Sequence, residues 1–369
     1  MKKIIALGIL CIFCGAAFVF ADDASVLPAR IGRVYLAPVF AFANGEYDED
    51  GGYSGYKSGE GSMKAFALGV AAEYGVIDWI SAAVQWTPAW VLASDVDVRQ
   101  EIPVGTYTGT IMDKVNANGP ADIFVGGKFL LAGEKAPIQS SKIRFALATG
   151  VKIPLPGPDF EEQYKNAGTG KAAAAANQDK HVLGIGIRAY ADYVFNKNFF
   201  LNFYTEFIGY PVNGKLSESG LPGYIQKTGL DQLQSKVVEG TGRYDLVSYK
   251  DEVFYGYDLN MEVEPVFSAS LPKGINFSTG LPLNFHYSPP SEYNAFIDPT
   301  VLSYMPAAAD LVPEGKPSKL LSLRPSVSFF FTGFLLPTEF KLGYWLPLWG
   351  ENSMATHSVV LQIKLYFRI

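Results

Sequence analysis

Residues 357–369 read HSVVLQIKLYFRI, and this stretch decides the fold. Every second residue from Val359 is apolar: Val359, Leu361, Ile363, Leu365, Phe367 and Ile369. The intervening positions, Val360, Gln362, Lys364, Tyr366 and Arg368, are mostly polar. A period of two over this length is a strand with one apolar and one polar face. A large soluble β-sandwich could contain such a strand. Two features favour a membrane wall: the apolar face ends flush with the last residue, and many earlier segments repeat the pattern. A bilayer core offers no water to unpaired backbone groups, so strands cross it only as a closed barrel. The expected fold class is all-β, a transmembrane antiparallel up-and-down β-barrel.

The opposite end of the chain fits that compartment. Met1-Lys2-Lys3 precedes an apolar run over 4–21 that closes on small residues, Gly15-Ala16-Ala17 and Ala21. This is the layout of a secretory signal peptide at 1–21, with Asp22-Asp23 marking the polar side of the cut. The competing reading is an uncleaved anchor, because the run is nearly long enough to span. Lipoprotein processing is disfavoured, since Leu10 and Phe13 precede Cys11 and Cys14 where a small residue is needed. Both cysteines leave with the signal, so the mature chain has no disulfide, thiolate metal site or cysteine nucleophile. His181, His286 and His357 are too far apart for ligand spacing, and no metal or cofactor is expected. Apolar residues make up 49% of the chain and aromatics 14%, as an outer band with aromatic girdles requires. Losing Lys2 and Lys3 takes the formal charge from −6 to −8, which argues against a nucleic-acid partner.

Strand-like segments fall at 31–43, 62–73, 79–92, 120–131, 142–153, 182–195, 199–210, 252–271, 275–287, 319–332, 338–348 and 357–369. Their connections alternate between short and long; the long ones are 44–61, 93–119, 154–181, 211–251 and 288–318. Outer-membrane barrels have short periplasmic turns and long external loops. That rule places both termini in the periplasm and a barrel over 31–369, leaving 22–30 as a short segment able to plug the lumen. A monomer is expected, with the barrel-assembly machinery reading the last strand.

Polar parity separates the two faces. Lys142, Arg144, Lys152, Arg188, Asp192, Asn202, Glu206, Asp258, Asn260, Glu262 and Glu264 share the lumenal set with Lys128, Glu339, Lys341, Lys364 and Arg368. A charge facing lipid near the midplane costs about 2–4 kcal/mol, so these point inward. They either pair among themselves to fill a narrow barrel or hold a ligand's carboxylate. Trp79, Trp86, Trp90, Tyr344 and Trp349 read as interface girdle. Pro88 cannot donate to a ladder, so it marks the outer end of the third strand, the first reading, or a bulge in the wall. Helical patterns at 160–165, 171–179 and 230–239 lie in two long loops, either packed on the rim or forming flaps over the mouth.

EYGVIDWIS at 73–81, GPADIFVGGK at 119–128 and ATGVKIP at 148–154 resemble the FadL-type outer-membrane transporters. The likeness is nearest to the spirochaetal FadL-like set and to barrels assigned to phenol-degradation pathways, and it extends over most of the mature chain. The resemblance implies fourteen strands, an apolar external groove, a lumenal pocket and a side exit where the third strand is kinked. The missing hairpin would come from 104–112 or from splitting 237–271. The family's N-terminal hatch has little room here.

The function so implied is uptake of long-chain fatty acids or similar hydrophobic molecules. An apolar tail would bind Phe160, Tyr164, Leu230 and Leu233 at the mouth. Lys128, Arg144, Lys152 or Arg188 would then pair with the carboxylate, and Pro88 would mark a lateral opening toward the outer-membrane lipids. The alternatives are a general porin or adhesive barrel, and an outer-membrane phospholipase. The last is disfavoured, because Ser358 and His357 are adjacent and so fall on opposite faces of a strand. No catalytic residue is expected.

Overall fold

A computed structural model describes residues 23–55, 63–94, 100–101, 110–111, 118–119, 122–156, 160–162, 180–312 and 314–368. The signal segment lies outside them. Twelve strands form the wall: β1 Ile31–Tyr47, β2 Met63–Ile77, β3 in two pieces (Ile80–Trp86 and Ala89–Ser94), β4 Ile123–Gly133, β5 Ile143–Ile153, β6 Gly184–Val194, β7 Phe199–Gly209 and β8 Tyr257–Leu271. They continue as β9 (Ile275–Gly280 and Leu283–Ser288), β10 (Ser318–Leu323 and Ser326–Phe331), β11 Thr338–Glu351 and β12 Ser353–Arg368. Each runs antiparallel to its sequence neighbours. β12 pairs with β1 from Ile31↔Arg368 to Tyr47↔Ser353, which closes the sheet.

The strands read from period and turns are therefore all in the wall, and the fourteen implied by resemblance are corrected to twelve. The regions suggested for the extra hairpin do contain paired strands, but off the wall. Gln100–Glu101 pairs with Thr110–Ile111, and Val247–Phe254 pairs with Glu292–Ile297, each as a separate two-stranded sheet. Loop chemistry, with its own short alternating runs, mimics wall strands at this length.

Burial follows the pleat in the sense a membrane demands. On β5 the lumenal Ala146 and Lys152 are buried, while Ile143, Leu147, Val151 and Ile153 stand exposed on the outside. Phe203, Phe207, Leu361 and Leu342 continue that exposed apolar face around the barrel. No helix among the described residues is long and apolar enough to cross a membrane.

At the long-loop end the connections fold into a cap with its own core. Helix α1, Leu221–Thr241, has a proline in its first turn and stops at Gly242, whose φ of 70° suits glycine. Leu230 and Leu233 are fully buried against Leu246, Val247, Val253, Ile297 and Leu311. Removing a buried leucine side chain costs about 2–5 kcal/mol. Leu230→Ala is expected to expose the cap to limited proteolysis while the barrel keeps its folded, heat-modifiable migration on gels. Loss of that migration would show that wall and cap fold as one unit.

Candidate functional site

The lumen divides by side-chain size. Strands β7 to β10 project long polar groups that fill it. Asn202 Nδ2 donates to Glu264 at 3.2 Å, Asn284 Nδ2 donates to Glu262 at 3.1 Å and to Asn260 at 2.9 Å, and Arg324 lies 3.5 Å from Glu262. Strands β1 to β5 project Ala37, Gly69, Ala71, Ala83, Gly126 and Ala148 instead. The space those small residues leave is a cavity of about 100 Å³ within a wider recess that opens to solvent. Tyr35, Glu73, Ser81, Gln85, Phe124, Lys128, Arg188 and Tyr190 complete its lining. Glu73 is held by Arg33 at 2.5 Å, Ser81 at 2.7 Å and Tyr35 at 3.1 Å.

Lys128 and Arg188, two of the four candidate cations, line this cavity. Lys128 Nζ sits 4.0 Å from the centre of the Tyr190 ring and donates to the Asp23 carbonyl at 2.6 Å. Arg188 lies over the Phe124 ring at 4.2 Å and is paired with Glu206. The other two have different neighbours. Lys152 is 3.3 Å from Asp122. Arg144 binds Asp192 at 2.9 Å, Ser25 at 2.9 Å and Asp23 at 3.5 Å. Arg144 is thus a clamp on the N-terminal segment.

That segment enters the barrel from the end that carries both chain termini. Ala24 is fully buried and its N–H donates to both Asp192 oxygens, at 3.1 and 3.0 Å. Farther along, Ala29 N–H donates to Asp78 at 3.0 Å and Arg30 N–H to the Gly75 carbonyl at 2.8 Å. A β-carbon at Gly75 would fall 2.1 Å from the Pro28 carbonyl oxygen, so only glycine lets the strap cross here. Trp79, expected in the girdle, packs instead with Val26 against the cluster of Ala24, Leu130, Ala146 and Tyr190.

The third strand breaks at Thr87-Pro88 beside the cavity. Among the described residues the pairing of β3 with β4 runs from Ile80↔Phe129 to Trp86↔Ile123, and the next pair, ahead of β4, is Ala89↔Gly119. On the other side Leu68 N–H donates to the Pro88 carbonyl at 2.9 Å, which holds the break against β2. The strand continues past the proline as Ala89–Ser94, so Pro88 lies within β3 rather than at its end, which corrects the first reading. Trp86, just below it, is exposed on the outer face.

The mouth residues do not gather into one groove. Leu230 and Leu233 lie inside the cap core, Phe160 is buried in a separate short helical turn, and Tyr164 lies outside the described residues. Below the cap, Lys180 ties the third long loop to the wall, 2.6 Å from Asp258, which also accepts from Tyr210 at 2.5 Å and Ser288 at 2.6 Å. Two features escaped the sequence reading. The Asp192 clamp needed the fold of 23–30. The cavity was visible as a run of small residues at lumenal positions of strands 1 to 5. Ser358 is buried toward the lumen, whereas His357 bonds the Tyr344 hydroxyl outside, so they form no catalytic pair. No group of three or more metal-ligating side chains occurs among the described residues.

A closed twelve-stranded antiparallel barrel with an apolar exterior and a strapped polar lumen defines a membrane β-barrel of the outer-membrane type. The chain overlays an outer-membrane channel from Pseudomonas putida with a TM-score of 0.56 at 10% identity, covering 95% of this chain and 100% of that one. More distant likenesses include LpxR from Salmonella typhimurium (TM-score 0.39, 9% identity, 90% and 100% covered) and a FadL homologue of Pseudomonas aeruginosa (0.34, 10%, 98% and 97%). No family model and no curated protein matches the sequence.

The clamp makes a test of the strap. Ser25→Cys should react slowly with a water-soluble maleimide in the otherwise native barrel. Adding Arg144→Ala removes two of the contacts that hold residues 23–25, those from Arg144 to Asp23 and to residue 25, and labelling should quicken about tenfold, the effect of losing one charge-assisted bond. Equal rates would show that the strap is held by its remaining contacts alone.

Proposed function

We propose that this chain is an outer-membrane transporter for long-chain fatty acids or similar hydrophobic molecules, with both termini in the periplasm. The observation that carries the reading is the position of the cavity. It is lined by Gln85 and Val70, close in the chain or across the ladder to Thr87-Pro88, so a largely apolar space and the proline of β3 share one side of the barrel. A general porin would need an open cross-section, and here paired side chains fill the β7–β10 half. The Pseudomonas putida barrel of the same fold is itself a channel.

In this reading the apolar tail lies along Ala37, Ala71, Ala83 and Phe124, where burial contributes about 25 cal/mol per Å². The carboxylate meets Lys128, whose ammonium already faces the cavity over Tyr190 and makes the charge-assisted contact. Arg188, though committed to Glu206, adds positive field from the same side. The strap is the gate on the terminus side, because Lys128 holds its Asp23 carbonyl. The break at Pro88 is the exit toward lipid.

Titration of the folded, detergent-solubilised barrel with a long-chain fatty acid and the matched fatty alcohol tests this. Losing one hydrogen-bonded charge costs about 1.5–3 kcal/mol. Lys128→Met should therefore weaken acid binding at least tenfold and leave the alcohol unchanged. No saturable binding of either by the native barrel would sink the proposal.

A further inference from the structure

The outer wall carries a second feature that uptake does not use. Among Lys, Arg and His, the outward positions of the described wall strands hold only Lys64 on β2, Lys319 on β10 and His357 on β12; the other cations of those strands lie at lumenal positions. Lys319 is neutralised by Glu351 at 2.5 Å. Lys64 is exposed and has no acidic partner among the described residues. Two of the three thus remain available, and they flank one residue. Phe42 of β1 is in register with Lys64 on one side and with His357 on the other.

The group is built as well as adjacent. The Phe42 and His357 rings stack with centroids 5.2 Å apart and planes 10° apart. The Tyr344 hydroxyl lies 2.8 Å from His357 Nδ1. With that hydroxyl donating, the neutral ring carries its proton on Nε2, which becomes a donor. Lys64 and His357 stand two strand spacings apart, about 10 Å between backbones. A lysine arm can close that gap over the Phe42 ring. Immediately toward the membrane centre lies the ring pair Phe40–Phe66, at 5.0 Å, and then the apolar band of Val359 and Leu361. The cation and the donor therefore sit at the rim of the apolar band, where a lipid's charged headgroup meets its acyl chains.

We propose that Lys64, Phe42, His357 and Tyr344 form a seat on the outer wall for the phosphate of an anionic membrane lipid. Lys64 supplies charge, His357 Nε2 a directed hydrogen bond, and Tyr344 fixes the ring. Phe42, Phe40 and Phe66 meet the glycerol and upper acyl chain. The inference rests on the barrel fold alone and stands whether or not the lumen transports fatty acids.

The test is lipid binding to the folded, delipidated barrel in neutral detergent, read by native mass spectrometry. The probes are phosphatidylglycerol, phosphatidylcholine and inorganic phosphate. The proteins are the native chain, Lys64→Gln, His357→Gln and Lys135→Gln, the last removing the same charge from an exposed turn at the other end. The expected result is preference for phosphatidylglycerol in the native chain and in Lys135→Gln. Lys64→Gln should bind it roughly fivefold more weakly, the effect of one lysine at an anionic surface. His357→Gln should lose affinity in the same direction, with phosphatidylcholine unchanged throughout and no displacement by millimolar phosphate. Equal binding by the native chain and Lys64→Gln would overturn the site, as would equal retention of the two lipids. Displacement by inorganic phosphate would make it a free-anion site instead and overturn the lipid assignment.

Discussion

Backbone hydrogen bonding is the constraint on which this structure depends. A strand inside a bilayer has no water to satisfy its edge, so the first strand must meet the last. The seam between Ile31↔Arg368 and Tyr47↔Ser353 does this over nearly the whole height of the wall. One bulge, between Ala43 and Glu46, is absorbed near the loop end, where the wall leaves the apolar band. Where proline removes a donor within the wall, a nearby carbonyl is used again. Leu281 N–H donates to Pro265, Arg324 N–H to Pro282 and Tyr344 N–H to Pro325, a staircase across four adjacent strands.

Closure then dictates the interior. Twelve tilted strands enclose a lumen that side chains must fill or leave as a passage. Here the two solutions occupy opposite halves. On β7 to β10 carboxylates and amides are paired with Arg324, Lys341 and one another, so buried charge is compensated where it lies. On β1 to β5 alanines and glycines leave the cavity open. The N-terminal strap lies between these halves, tied to Asp192 on β6 and bonded through the Asp23 carbonyl to Lys128 on β4. One cation, Lys128, thus both holds the strap and faces the cavity.

The wall was legible in the sequence because one physical rule, alternate faces for lipid and lumen, acts on every strand. Residues 357–369 and 142–153 display it without ambiguity. Strand count was legible for the same reason, and borrowing a count from resemblance misled. The loop sheets at 247–254 and 292–297 alternate too, but they bury their apolar side in the cap instead of showing it to lipid. Periodicity cannot distinguish those destinations. The site was less legible because its parts meet only in three dimensions. Arg144, Lys152 and Arg188 share parity and charge with Lys128, yet their carboxylate partners come from other segments: Asp192, Asp122 and Glu206.

Pro88 shows how one residue carries meaning only through its surroundings. A proline at a strand end relieves an unpaired donor and has no further consequence. In this barrel the same residue falls within β3, between two neighbouring strands, and its carbonyl accepts from the Leu68 N–H of β2. On the β4 side the pairs Trp86↔Ile123 and Ala89↔Gly119 bracket it. A gap in a wall backed by Arg324, Glu262 and their partners would be sealed from within. Here small residues and the cavity lie behind it instead.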